Sequence, residues 1–291
     1  MRLQEKKAAD YASEVFNTLK NQFPDLFLQS FIDPFAIANT EAPMLKVIGA
    51  DFKNRFDGQL EYHQKQNTFL LFYNTRYDVE RNDKLVHHPR TRFSVAHELG
   101  HYYLEKHRAF LMKTSKTHSS KNEFTNDTTV EREADAFAAS LLMPKAVFAP
   151  LVNSNELTIP RIIKLSDAFQ TSRVSTAIRS VQLSDFPCAL IGIREKMIVW
   201  QFLSETLIEG GCYPKPKGIV QSPSTKEVLT NLNAVTTEIA PKSESADHWF
   251  WVYGLAQGKN LTVTEHYLPV PIMNTFLVLL TLSEEELFDL D

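Results

Sequence analysis

The sequence predicts an α+β protein, with a mostly helical first part holding a small antiparallel sheet and a sheet-rich second part. Three observations predict it. Residues 3–20 place Ala8, Tyr11, Ala12, Val15, Phe16 and Leu19 at the spacing of an amphipathic helix. The runs MLKVIGADF, GQLEYHQK and NTFLLFYN are short, rich in β-formers and separated by turn residues. From about Phe186 strand-like runs dominate: CALIGIR, MIVWQFL, HWFWVYGL, NLTVTEHYL and NTFLVLLTL. The change of pattern near 183–187 divides the chain into domains 1–183 and 184–291.

In chain order, the first helix turns its apolar stripe to a core, and the three β-runs make the first sheet. A helix then starts near Pro89 or Arg90 and carries RTRFSVAHELGHYYLEKH. The polar stretch KTSKTHSSKNEFTNDTT, residues 113–129, reads as a mobile surface loop. A second helix follows, TVEREADAFAASLLM, stopped by Pro144. IPRIIKLSDAF and TSRVSTAIRSV then give a helix-turn-helix-like segment over 159–181. The paired tryptophans of HWFWVYG read as core. With 291 residues and 43 % apolar content, the chain can bury one large core or two ordinary ones.

Two cysteines, Cys188 and Cys212, are too few for a disulfide framework, so a reducing, cytoplasmic setting is expected. No signal-peptide core opens the chain, and FLVLLTL is far too short for a membrane span, so no membrane partner is expected. Residues 183–291 carry seven Lys/Arg against fourteen Asp/Glu, a net −7, leaving 24 and 21, or +3, for residues 1–182. Such mild values argue against direct nucleic-acid binding, which shows as a concentrated basic face.

His97, Glu98 and His101 form H-E-x-x-H. On a helix, residues four apart differ by about 40° round the axis, so His97 and His101 can offer nitrogens to one ion. Zinc takes such nitrogens plus a carboxylate, leaving one position for water whose pKa falls towards ~7. Glu98 beside them can act as general base on that water. Phe93, Gly100 and Leu104 share the histidine stripe, so the imidazoles face a core, and Gly100 suggests close approach of another element.

Three residues compete as third ligand. His107 lies ten residues after His97; an unbroken helix would turn it ~80° away and advance it ~15 Å, out of reach. Leu104 stands where a turn-forming glycine would be needed, so His107 reads as a helix-end histidine. In the second helix Glu131 falls within about 20° of Ala138 and Leu142, inside the apolar stripe, whereas Glu133 lies near ~200°, on the wet side with Ser140. A carboxylate in an apolar stripe needs a partner, and that points to Glu131. Asp135, about 40° round, is placed to bond the far nitrogen of a ligating histidine.

RTRFSVAHELGH followed by EREADAFAASLLMP resembles the ImmA/IrrE family of zinc metallopeptidases, over roughly residues 45–182. Arg90 and the strand ending at Asn74 fit its pattern. The resemblance implies a gluzincin-like (zincin-like) site with His97, His101 and Glu131 on Zn2+ and Glu98 catalytic. It also implies a protein substrate, typically a helix-turn-helix repressor whose cleavage relieves repression in a stress response or mobile element. The second domain is compatible with the GAF-like sensory domain of some members. The alternative is a DNA-binding or contact-acting regulator with a structural zinc, using Arg173 and Arg179. Tyr73, His87, His88 and Arg90 are candidates to stabilise a tetrahedral intermediate.

Overall fold

A computed structural model describes residues 2–28, 31–82, 84–114, 118–120, 128–231, 239–270 and 275–288. It is a mixed α+β fold. Two compact units divide it: Met1–Val147 with Ser166–Ser175, and Phe148–Leu165 with Thr176–Asp291. Most of the 113–129 stretch lies outside the described residues.

In the first unit α1 (Leu3–Gln22) buries Ala8, Ala12, Val15, Phe16 and Leu19, the stripe its spacing predicts, whereas Tyr11 stays exposed. Asp33 caps α2 (Pro34–Thr40) by accepting from the Phe35 amide. A four-stranded sheet follows, in the order β1 (Leu45–Ala50), β3 (Thr68–Asn74), β2 (Gly58–His63), β6 (His118–Ser120). It is mixed rather than antiparallel: β3 runs parallel to β1 and antiparallel to β2. The β2–β3 hairpin folds back so that its more apolar strand, with Phe69 and Leu71 fully buried, takes the centre beside β1. After a small hairpin, β4 (Val79–Arg81) and β5 (Lys84–Val86), come α3 (Pro89–Tyr103), α4 (Glu105–Thr114) and α5 (Thr129–Leu142). Val95 and Leu99 of α3 join Phe137, Ala138 and Leu141 of α5, the α1 stripe and the sheet's Leu60, Phe69 and Leu71 in one core.

In chain order α6 (Lys145–Val152), α7 (Ile159–Phe169) and α8 (Arg173–Leu183) follow. The units do not divide at 183/184: residues 148–165 and 176–183 group with the sheet-rich part. Asn153 shows why, donating to the Leu183 carbonyl at 3.1 Å and accepting from the Asp185 amide at 3.0 Å. The second unit is built on an antiparallel sheet ordered β10 (Lys242–Ser245), β12 (Thr262–Val270), β13 (Thr275–Thr281), β7 (Cys188–Arg194), β8 (Met197–Leu203). Trp249 is core, but Trp251 is exposed on β11 (Phe250–Val252), because the alternating strand turns it outward. Among the described residues no single helix is long and apolar enough to cross a membrane.

Candidate metal centre

The start of α3 is fixed by a polar network. His88 caps it, accepting from the Arg90 amide at 3.1 Å, and Pro89 occupies the first turn. The Asp78 carboxylate accepts from the His88 amide (2.8 Å), His87 Nδ1 (2.8 Å) and Thr91 Oγ1 (2.6 Å). His87 also stacks on Phe35 with ring centres 3.8 Å apart, and Arg90 donates to Asp57 at 2.6 Å and 3.1 Å. Burial, aided by the Asp78 charge, pushes the Tyr73 phenol above its ordinary pKa, so it stays protonated. His87, His88 and Arg90, read as candidate oxyanion partners, thus spend these hydrogen bonds on holding the helix, and Tyr73 packs edge-on to His87.

From that start the rotation of α3 buries His97, Glu98 and His101 almost completely, at 1 %, 0 % and 1 % exposure. The Nε2 atoms of the two histidines lie 3.1 Å apart. Glu131 arrives from α5, with Oε2 3.4 Å from His97 Nε2 and Oε1 3.7 Å from His101 Nε2. One ligand atom from each of the three lies within 4.8 Å of the others, a group that could hold a metal ion. Thr128 caps α5 by accepting from the Glu131 amide at 3.3 Å, placing Glu131 third in the helix, where a carboxylate often folds back on the cap. Here it turns to the histidines instead.

Gly100 makes the approach possible. A β-carbon there would meet the Ala134 Cα and carbonyl oxygen at 3.2 Å, so α3 and α5 touch backbone to backbone. Behind the site Asp135 Oδ1 lies 2.8 Å from His97 Nδ1, the far nitrogen. Burial alone would depress the His97 imidazole. Its bonds to Asp135 and Glu131, with the charges of Asp135 and Glu98, outweigh that and raise its pKa to about 10. Glu98 packs beneath β2: a β-carbon on Gly58 would lie 2.8 Å from Glu98 Oε1.

His107 and Glu133 depart from expectation. The helix does not run on: it ends at Leu104, whose ψ of 110° is extended, and α4 restarts at Glu105. His107 therefore folds back and is buried, its Nδ1 3.1 Å from His101 Nδ1 and its Nε2 2.8 Å from Glu133 Oε2. It still does not join the three-residue group. Glu133 is not on a wet face, since it meets the buried His107, and Ser140 is fully buried; α1 packs along α5 and ties it through the Arg132–Glu5 ion pair at 3.2 Å. Nothing in the residue pattern marks the His107–Glu133 contact, since it depends on a helix break at a leucine. Of the arginines read as phosphate contacts, Arg173 is exposed but Arg179 is buried at 4 %.

Residues 57–180, which include all of these side chains from Asp57 onwards, match a peptidase family model described as the IrrE N-terminal-like domain. Among solved structures, a Mycobacterium tuberculosis transcriptional regulator is similar in fold, at a TM-score of 0.50 and 11 % identity, covering 97 % of this chain and 82 % of that one. A search of curated proteins finds no match. Residues 57–180 are thus similar to the IrrE N-terminal-like (ImmA/IrrE-type) peptidase domain.

Proposed function

We propose that this protein is a zinc-dependent endopeptidase that hydrolyses a peptide bond in a protein substrate, a helix-turn-helix transcriptional repressor, and so relieves repression. One observation carries the reading: His97, His101 and Glu131 converge inside the family domain with Glu98 buried beside them. Two imidazole nitrogens and one carboxylate, on a helix pair, are the donor set of a gluzincin-type catalytic zinc, which leaves a position for water. When bound, zinc supplies Lewis acidity, polarising a carbonyl and acidifying a water.

The chain's own residues do the rest. Glu98 takes the proton of the attacking water and returns it to the leaving amine. It is fully buried and packs under Gly58, beside the two histidines. Asp135 holds His97 with Nδ1 protonated, so that Nε2 keeps its lone pair for the metal. The five-stranded sheet of the second unit supports a GAF-like sensing or restraining role for that unit. A regulator with the shared fold is in keeping with a substrate in transcription control.

The test is Glu98→Gln, co-expressed with candidate repressors. The variant is expected to keep about one zinc per chain and lose cleavage by at least ~100-fold. Cleavage at the parent rate would refute the mechanism.

A further inference from the structure

We propose that His107, anchored by Glu133, is a positioning residue that holds His101 in its metal-binding orientation; this rests on reading His97, His101 and Glu131 as metal ligands. The Nε2 atoms of His97 and His101 face each other and Glu131, so the metal side of each ring is Nε2. A ring that ligates through Nε2 must carry its proton on Nδ1 and donate it. His97 donates to the Asp135 carboxylate directly. His101 Nδ1 instead faces a nitrogen, His107 Nδ1, at 3.1 Å.

Two facing imidazole nitrogens can share only one proton. With His101 the donor, His107 Nδ1 must accept, which leaves its own proton on Nε2. There the Glu133 carboxylate receives it at 2.8 Å. The chain His101 Nδ1–H to His107, and His107 Nε2–H to Glu133, therefore has one direction and ends on a charge. It is the carboxylate–histidine–metal arrangement lengthened by one ring.

The fold makes the arrangement on purpose-built ground. Only the break at Leu104 lets a residue six positions after His101 return to it, and His107 is buried, at 6 % exposure. The two ligand histidines are thus held by different devices, a carboxylate for one and an imidazole–carboxylate pair for the other.

The experiment measures zinc affinity by competition with a chromophoric chelator, and the visible spectrum of the cobalt-substituted protein, for the parent, His107→Phe, His107→Gln and Glu131→Gln. Phenylalanine keeps the ring's shape without an acceptor, whereas glutamine offers an oxygen to His101 and an amide to Glu133. His107→Phe is expected to bind zinc about 10–100-fold more weakly, with a shifted cobalt spectrum, and His107→Gln to recover most of the loss. Thermal unfolding in chelator checks that each variant is folded; a His107→Phe that does not fold leaves His107→Gln against Glu133→Gln as the comparison, with the carboxylate variant the weaker binder. His107→Phe within twofold of the parent, or glutamine no better than phenylalanine, would overturn the inference. A parent that binds no zinc, or Glu131→Gln binding as tightly as the parent, would overturn the metal reading itself and this inference with it.

Discussion

Replacing Gly100 with alanine tests whether the close approach of α3 and α5 assembles the metal centre. The new β-carbon would sit 3.2 Å from the Cα and carbonyl oxygen of Ala134 and 3.3 Å from the Phe137 Cβ. Those atoms are backbone or the first side-chain carbon, so no rotamer relieves the contact and α5 itself must give by a few tenths of an ångström. Glu131, one turn before Ala134 on the same helix, moves with it. Alanine gains about 1 kcal/mol over glycine inside a helix. Overpacking a buried contact costs about 1–3 kcal/mol. The metal-free variant is therefore expected to be less stable than the parent by up to about 2 kcal/mol. The zinc-loaded variant should lose more, because each tenfold weakening of the site removes a further ~1.4 kcal/mol at saturating metal. Thermal unfolding in chelator and in excess zinc, with a zinc competition titration, separates the two effects. An alanine variant that is more stable than the parent in chelator and binds zinc equally well would refute the reasoning.

Three further outcomes follow from the same structure. In the metal-free protein His97 is raised to about 10 from 6.5, so at pH 7 it is an imidazolium whose proton the metal must displace. Zinc affinity should climb about tenfold per pH unit between roughly pH 7 and 9. Over the same rise the metal-free fold loses stability, since a raised pKa stabilises fully below 6.5 and ceases to as pH passes 10; flat zinc affinity across that range would contradict a protonated His97. Gly58→Ala places a β-carbon 2.8 Å from Glu98 Oε1 and displaces the base, so cleavage should fall about 100-fold with zinc binding retained; an unchanged kcat would show that Glu98 has room to move. In the second unit Glu265 is fully buried and accepts from Trp249 Nε1 (2.7 Å), Thr225 Oγ1 (2.8 Å) and Tyr267 OH (2.7 Å). Glu265→Leu leaves three buried donors unsatisfied and should cost at least about 3 kcal/mol in urea denaturation followed by tryptophan fluorescence; a loss under about 1 kcal/mol would mean that the cluster reorganises freely.

What the sequence makes legible is whatever depends on local geometry. Helical phase alone brings His97 and His101 together and selects Glu131 over Glu133 as the residue facing them, because 100° per residue holds wherever the helix is regular. The close approach at Gly100 is legible for a similar reason: a glycine inside a helix needs a cause, and Ala134 is that cause. Features that depend on distant partners are not legible. Ser140 looks solvent-facing from its helical phase, yet the packing of distant elements on α5 buries it completely. The parallel pairing of β1 with β3 follows from which strand of a hairpin is more apolar on both faces, not from either strand's own pattern. The break at Leu104 is hidden most deeply, since leucine favours helix and the Leu104 amide still bonds to the Gly100 carbonyl at 2.9 Å while ψ turns extended.

That break and the first turns of α5 together explain how so short a motif becomes a site. Glu131, Glu133 and Asp135 alternate over five residues of one helix start: the first faces both histidines, the second ends the chain through His107, and the third holds His97. The proposed ligand and its two proposed anchors therefore move as one rigid piece, whose position is set by the Thr128 cap at one end and the Gly100–Ala134 contact one turn on. Three carboxylates this close repel one another, and the helix N-terminus offsets only part of that. Arg132 within the same run adds positive charge, and on the other side the raised His97 in the metal-free protein, or a divalent cation when one is bound, offsets more of it. The run EREAD therefore gains from H-E-x-x-H through Glu131 and Asp135 and from His107 through Glu133, which is the physical reason that the two stretches act together although a polar loop separates them in sequence.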